Sequence, residues 1–89
     1  MSEWDVAWTA TATKSLRRLP ENAGRAAIEF VLGPLAANPR RVGKELRFEL
    51  EGLHVARRGD YRVIYEIDDD AGRVMISVFE HRSQVYRRR

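Results

Sequence analysis

The hydrophobic pattern of this 89-residue chain changes period once, and that change constrains the fold more strongly than any other feature. Over residues 53–80 apolar side chains alternate with polar ones, which is typical of strands that bury one face. Short turn-forming segments interrupt the alternation twice. The pattern therefore predicts a three-stranded antiparallel meander, with strands at Leu53–Arg58, Tyr61–Asp68 and Arg73–Glu80.

A short strand and a helix are predicted at the start of the chain. Residues 4–9 alternate between large apolar residues and smaller or polar ones, as in a strand. Thr9 or Thr11 can cap a helix that follows, because a threonine hydroxyl accepts a bond from a free amide of the first turn. The apolar residues of that helix recur at intervals of three and four: Trp8, Ala12, Leu16 and Leu19.

A second helix is predicted from Pro20, since proline suits the first turn of a helix. Gly33-Pro34 is expected to kink or end it, because proline lacks an amide donor and clashes with the preceding turn. Asn38-Pro39 is expected to close the helical region. The connecting segment, residues 40–52, contains a possible short strand at Leu46–Leu50.

Together these elements predict an α+β fold in the order β-α-α-β-β-β, as a single domain over residues 1–89. The sheet is expected to be small and mostly antiparallel. A two-helix hairpin can cover only one of its two faces. The other face should stay open and basic, and it is the natural place for a binding site.

Composition excludes several classes of protein. With 44% hydrophobic and 33% charged residues, the chain has a globular balance rather than a disordered one. No apolar run approaches the ~18 residues of a membrane span, and the N-terminus lacks the pattern of a signal peptide. Without cysteine there is no disulfide framework and no thiolate nucleophile or metal ligand. These features predict a cytoplasmic protein that does not bind a membrane.

Arginine supplies fourteen of the sixteen cationic residues. Its planar fork binds phosphate through two nitrogens, although a GC-rich genome would also enrich arginine. If Gly59 and Asp60 form a two-residue hairpin loop, Arg57 lies directly opposite Arg62 on the open face. Like charges this close destabilise a sheet, so either a bridging anion or a carboxylate such as Glu66 is expected to offset them.

Histidine is the second candidate for chemistry, because it titrates near neutral pH. If the apolar residues of the last strand face the core, His81 points to the open face together with Ser77 and Phe79. His54 falls on the helix side and is interpreted as structural. Two histidines and no cysteine argue against a zinc site, and the acidic turn at residues 68–70 is interpreted as a solvated loop, so no metal is expected.

Three stretches make the chain resemble the RelE toxins of bacterial type II toxin–antitoxin modules, within the RelE/ParE superfamily, and particularly their mycobacterial and other actinobacterial members. They are Gly43–Arg47 with Leu50–Gly52, the highly specific Arg57–Tyr65, and His81–Tyr86. The resemblance implies an endoribonuclease that cuts translated mRNA in the ribosomal A site, without metal or cofactor. The ribose 2′-hydroxyl attacks the adjacent phosphate and leaves a 2′,3′-cyclic phosphate.

The resemblance also implies roles for individual residues. Arg62 would bind the phosphate and its transition state, Arg57 would contact the same phosphate, and Tyr86 would act as a general base or stack on a base. His81 would complete the catalytic set. The implied RNA or ribosome contacts are Lys44, Arg47, Arg58, Arg82 and Arg87. Val55 departs from the pattern, because the family has a basic residue there.

The implied partners are a cognate antitoxin protein, the ribosome with its mRNA, and operator DNA reached only through the toxin–antitoxin complex. Three alternatives remain: a ParE-like toxin that inhibits DNA gyrase without an RNase site, a catalytically weak corepressor that binds the antitoxin, and a small basic RNA-binding module. The combination of Arg62, His81 and Tyr86 argues against the gyrase inhibitor.

Overall fold

The computed structural model describes residues 4–46 and 52–81. In this part of the chain the elements are β1 (Asp5–Trp8), α1 (Ala10–Arg18), α2 (Glu21–Phe30), a π-helical segment (Val31–Leu35), α3 (Pro39–Val42), β2 (Lys44–Glu45), β3 (Leu53–Arg58), β4 (Tyr61–Asp68) and β5 (Arg73–His81). The described strands form one sheet in the order β1-β5-β4-β3-β2. β1 runs parallel to β5, and the other pairings are antiparallel.

The predicted α+β fold and the predicted meander are confirmed, and β5 is one residue longer than expected. The described sheet has five strands rather than four. The extra strand, β2, pairs Lys44 with Val55 and Glu45 with His54. The strand predicted at Leu46–Leu50 follows directly after β2, and residues 47–50 of it lie outside the described residues.

The helices begin and end for identifiable reasons. Thr9, the first of the two expected caps, accepts a hydrogen bond from the Ala12 amide at 2.9 Å. The α-helix ends at Phe30, and the wider π-helical turns that follow accommodate Pro34. The prediction that Asn38-Pro39 closes the helical region was wrong. Pro39 instead begins α3, because a first helical position needs no amide donor.

The core lies between the helices and one face of the sheet. As the alternation predicted, Tyr61, Val63 and Tyr65 of β4 are buried, with Ile67 half-buried. They pack with apolar residues from the helices and β5: Ala12, Ala27, Val31, Leu35, Val74, Ile76 and Phe79. No helix among the described residues is long and apolar enough to cross a membrane.

One core contact also positions β2 at the edge of the sheet. The phenol of Tyr65 donates a hydrogen bond to the Pro39 carbonyl at 2.7 Å, and burial raises its pKa to about 12. A Cβ at Gly43 would overlap this phenol oxygen, so only glycine fits between α3 and β2. The close approach brings Lys44 alongside β3.

Candidate functional site

The hairpin between β3 and β4 turns at Gly59 and Asp60, as predicted. Gly59 has φ of 57°, in the left-handed region that favours glycine. The register pairs Arg57 with Arg62 and Arg58 with Tyr61. Two arginines therefore lie directly opposite each other on the sheet face that the helices leave open.

Two cross-strand rows make up the centre of this open face. The first row runs Arg57–Arg62–Glu80 across β3, β4 and β5, and we call it the arginine row. The second row lies beside it and is mostly apolar: Lys44, Val55, Ile64 and Val78. The apolar members are half-buried, whereas Lys44 is exposed at the sheet edge. The open face thus combines a flat apolar centre with a cationic margin.

Glu80 resolves the repulsion within the arginine row. The Nε of Arg62 donates a hydrogen bond to Oε1 of Glu80 at 2.6 Å. Both side chains are about one-third exposed, at 32% and 33%, so the pair is partly withdrawn from water. Of the two groups expected to offset the like charges, the structure shows the carboxylate. It is not Glu66, which lies opposite Leu53 and Met75 on the same face.

The prediction that His81 and Phe79 point to the open face was wrong, because β5 contains a bulge. Tyr65 pairs with Ile76 whereas Ile64 pairs with Val78, so Ser77 is an extra residue. An extra residue reverses the alternation of the strand beyond it. This bulge turns Phe79 into the core, where it stacks against Trp8 with ring centroids 5.9 Å apart.

The same reversal exchanges the sheet faces on which the last two residues of β5 lie. Glu80 comes to the open face opposite Arg62, and His81 pairs with Tyr61 on the helix side. Sequence reasoning therefore missed Glu80 and misplaced His81. A signal was available, since Val78 and Phe79 are adjacent apolar residues that break the alternation of the strand.

Side chains at the start of α1 hold the bulge. The hydroxyl of Thr9 donates to the Ser77 carbonyl at 2.9 Å, and the Thr9 amide donates to the Ile76 carbonyl at 3.1 Å. Farther along β5, the hydroxyl of Ser15 accepts from the Phe79 amide at 2.9 Å. β1 ends at Trp8, so these groups take over the edge of β5 that β1 no longer pairs.

Arg58 lies on the opposite side of the sheet from the arginine row. Its guanidinium carbon is 4.6 Å from the ring centroid of Phe30, which is a cation–π contact. Burial raises the pKa of the neighbouring Tyr61 phenol, and the charge of Arg58 partly offsets that rise. With His81 these residues line a groove of about 770 Å³ between α2 and the hairpin. Arg57 and Arg58, both of which the resemblance implies contact RNA, thus lie on opposite faces of the sheet.

The other predicted site residues divide into two groups. Lys44 lies on the open face, opposite Val55. Arg47, Arg82, Tyr86 and Arg87 lie outside the described residues.

The acidic turn is structural rather than merely solvated. Arg40 of α3 binds both carboxylate oxygens of Asp69, at 2.9 and 2.8 Å, and this hydrogen bonding lowers the pKa of Asp69. Asp68 accepts a bond from the Ala71 amide within the same turn. His54 faces the helices as expected. It stacks on Tyr65, and its buried Nδ1 has no hydrogen-bond partner among the described residues.

The geometry of the open face suits a phosphodiester chain. Arg57 and Arg62 offer two guanidinium groups on adjacent strands, and guanidinium binds phosphate through paired N–H donors. The neighbouring apolar surface can accept the face of a base or a sugar. Among the described residues, no cluster of three or more histidine, aspartate or glutamate side chains could hold a metal ion.

Comparison with known proteins agrees with this fold. A family model described as the ParE toxin of the type II toxin–antitoxin system, parDE, matches residues 6–86. Toxin RelE of Mycobacterium tuberculosis is 58% identical over 84 residues, covering 94% of this chain and 87% of that protein. Toxin RelG of the same organism is 46% identical over 85 residues, covering 96% and 98%.

A solved structure shows that the likeness extends from the sequence to the three-dimensional fold. One chain of the crystallised toxin–antitoxin complex RelBE2 from Mycobacterium tuberculosis matches with a TM-score of 0.89 and 44% identity. The match covers 91% of this chain and all of that one. The chain therefore belongs to the ParE toxin family of type II toxin–antitoxin systems, within the RelE/ParE superfamily, and is a RelE-like toxin.

Proposed function

We propose that this toxin is a ribosome-dependent endoribonuclease that cleaves mRNA and so stops translation. The observation that carries the proposal is the placement of Arg57 and Arg62 directly opposite each other on an uncovered sheet face. Two adjacent cations on an open surface suit a substrate with a negatively charged backbone. The M. tuberculosis RelE and RelG toxins supply the family context.

The chemistry needs neither metal nor cofactor. The 2′-hydroxyl gives up its proton and its oxygen attacks the adjacent phosphorus. The bond from phosphorus to the 5′-oxygen breaks, this oxygen takes up a proton and leaves as a 5′-hydroxyl, and a 2′,3′-cyclic phosphate remains. Arg62 and Arg57 stabilise the doubly charged phosphorane, since cations preorganised at developing charge lower a barrier most effectively. Tyr86 moves the proton of the 2′-hydroxyl or stacks on the base beside it. His81 lies on the helix side, so the geometric argument for its catalytic role no longer holds.

The same proposal includes the partners. We assign the toxin a cognate antitoxin, because the similar RelBE2 chain was crystallised as a toxin–antitoxin complex. The ribosome presents the mRNA, and Lys44, which lies on the open face, is proposed to contact the RNA. Arg47, Arg82 and Arg87 are proposed as further contacts. Operator DNA is bound only through the toxin–antitoxin complex in the cytoplasm.

The test is to induce the toxin in cells and to map mRNA 5′ ends. We expect cuts within translated coding regions that disappear when translation is blocked. Arg62→Ala should lower cleavage by about 100-fold or more, the usual effect of removing one donor at a developing oxyanion. The matched control is Arg25→Ala, which removes an exposed arginine of α2 that forms a surface pair with Glu21. Full cleavage by the Arg62 variant would contradict the proposal.

A second candidate function follows from the description of the matched family model, which names ParE. A ParE-like toxin would arrest growth by inhibiting DNA gyrase through binding alone. The same induction experiment separates the two. Intact mRNA together with accumulated gyrase–DNA damage would establish the gyrase inhibitor and exclude the endoribonuclease.

A further inference from the structure

The ion pair in the arginine row uses only one side of the Arg62 guanidinium. Its hydrogen bond to Glu80 comes from Nε, at 2.6 Å. The Arg40 pair is different, because there both terminal nitrogens, Nη1 and Nη2, bind Asp69. Within residues 4–46 and 52–81 the structure records no bond from the terminal nitrogens of Arg62. Glu80 therefore holds Arg62 by its inner nitrogen, and none of the described residues binds the outer fork.

An arginine held in this way is prepared to bind phosphate. The guanidinium is planar and carries five N–H donors, of which four are on the two terminal nitrogens. When a carboxylate fixes Nε, rotation of the group about its long side chain is restricted. The terminal nitrogens then approach an incoming phosphate as a preformed fork, which is the geometry of a bidentate pair.

The bulge in β5 is what brings Glu80 to this position. Continuing the pairing of Tyr65 with Ile76 without the extra residue would place Phe79, not Glu80, opposite Arg62. An apolar ring there could not accept a bond from Nε. Two hydroxyl groups, that of the α1 cap Thr9 and that of Ser15 within α1, bond to β5 at and beyond the shift. The fold thus maintains a local irregularity whose result is the Arg62–Glu80 contact.

We propose that Glu80 is a positioning residue of the toxin's RNA site. It accepts the Nε–H of Arg62 and aims the terminal nitrogens at the scissile phosphate, while Arg57 binds the same phosphate from β3. This inference rests on the proposed endoribonuclease function. Glu80 itself touches neither the RNA nor the reacting atoms.

Two substitutions separate this role from a general effect of charge. Glu80→Gln keeps an acceptor oxygen at the same reach and removes the charge, whereas Glu80→Met keeps the length and removes the acceptor. Glu66→Met is the matched control, because Glu66 is an exposed carboxylate on the same face that is not paired with Arg62. Thermal unfolding of each variant confirms that it is folded before activity is compared.

The assay uses purified ribosomes that carry an mRNA with its target codon in the A site. Single-turnover cleavage of this mRNA is followed over a range of toxin concentrations. We expect Glu80→Met to slow the maximal cleavage rate by about 10- to 100-fold, the range for a catalytic group misplaced by roughly 1 Å. Its half-saturating concentration should change little, since the cations that attract RNA remain. Glu80→Gln should restore the rate to within about threefold of wild type, and Glu66→Met should match wild type.

Spectroscopy gives a readout that does not depend on cleavage. The Nε–H proton of Arg62 should give a slowly exchanging NMR signal in the wild type and in Glu80→Gln, and this signal should be lost in Glu80→Met. If Glu80→Met cleaves at the wild-type rate or faster, with wild-type half-saturation, the inference is overturned. The proposed function would still stand in that case if Arg62→Ala were inactive. Unimpaired cleavage by Arg62→Ala would instead overturn the proposed function itself.

Discussion

Arg40 and Arg62 each pair with a carboxylate, but they present different nitrogens to it. Arg40 uses both terminal nitrogens on Asp69, so its binding capacity serves the fold and ties α3 to the turn between β4 and β5. Arg62 donates to Glu80 through Nε, and in our proposal its terminal nitrogens bind the RNA phosphate. The composition alone does not separate these roles, because fourteen arginines look alike until their partners are known.

The Arg40–Asp69 pair predicts a pH dependence of stability. Hydrogen bonding to Arg40 lowers the pKa of Asp69 in the folded state. The pair therefore contributes stability that is present above the unfolded-state pKa, about 3.9, and is lost as the pH falls through the lower folded-state value. In Asp69→Asn the melting temperature should lie below that of wild type near neutral pH, and the difference should shrink below about pH 4.

Thermal unfolding followed between about pH 7 and pH 3 measures this difference. Asp70→Asn is the matched control, since Asp70 is an exposed neighbour in the same turn without a recorded bond to Arg40. Both members of the Arg40–Asp69 pair are more than half exposed, so the effect is expected to be small and to weaken with salt. A difference in melting temperature that is the same at every pH would contradict the assignment.

At the scale of elements, α1 and β5 depend on each other. Thr9 caps the helix and also donates to Ser77 in the bulge. Ser15, one turn and a half along the helix, accepts from the Phe79 amide and donates to the Ala12 carbonyl. β1 no longer pairs with β5 beyond Ile76. The hydroxyls of Thr9 and Ser15, at the cap and on the buried side of α1, bond to β5 there instead.

This coupling predicts that Ser15→Ala is strongly destabilising for a change of one oxygen atom. The Phe79 amide would be left buried and unpaired, which costs about 1–3 kcal/mol of the free energy of unfolding. Urea denaturation measures the loss. Thr11→Ala, an exposed position of the same helix, should change the free energy by less than about 0.5 kcal/mol. Equal effects of the two substitutions would show that Ser15 does not support β5.

At the scale of the whole molecule, the sheet separates the open face from the helix-side groove, although residues adjacent in the sequence contribute to both. Arg57 and Arg58 are neighbours, yet Arg57 belongs to the arginine row and Arg58 lies over Phe30 on the helix side. His81 follows Arg58 to the helix side because it pairs with Tyr61. The open face and the groove are therefore available to different partners.

This separation predicts different salt responses for the two neighbouring arginines. Each phosphate contact that is lost lowers the slope of log affinity against log salt concentration by about 0.7 for a single strand. Arg57→Ala should weaken binding of a single-stranded RNA and lower the slope by about that amount. Arg58→Ala should leave the slope unchanged. Fluorescence anisotropy at several salt concentrations tests this, and equal slopes for both variants would contradict the assignment of faces.

Much of the architecture could be predicted from local pattern. Alternation and turn chemistry act over a few residues, so the meander strands, the Gly59–Asp60 turn and the opposition of Arg57 to Arg62 follow directly from residues 53–80. The α+β class and the uncovered face follow from counting elements. Val78-Phe79 was the one local sign of the bulge.

The irregular features required contacts between distant parts of the chain. The shift at Ser77 is supported by Thr9 and Ser15, which lie 68 and 64 residues from their partners in β5. The pairing of β1 with β5 likewise joins the two ends of the described chain. Hydrogen bonds over such separations leave no periodicity in the sequence. For this reason local pattern established which arginines face each other, whereas the packing of α1 on β5 determined that Glu80, rather than His81, stands beside them.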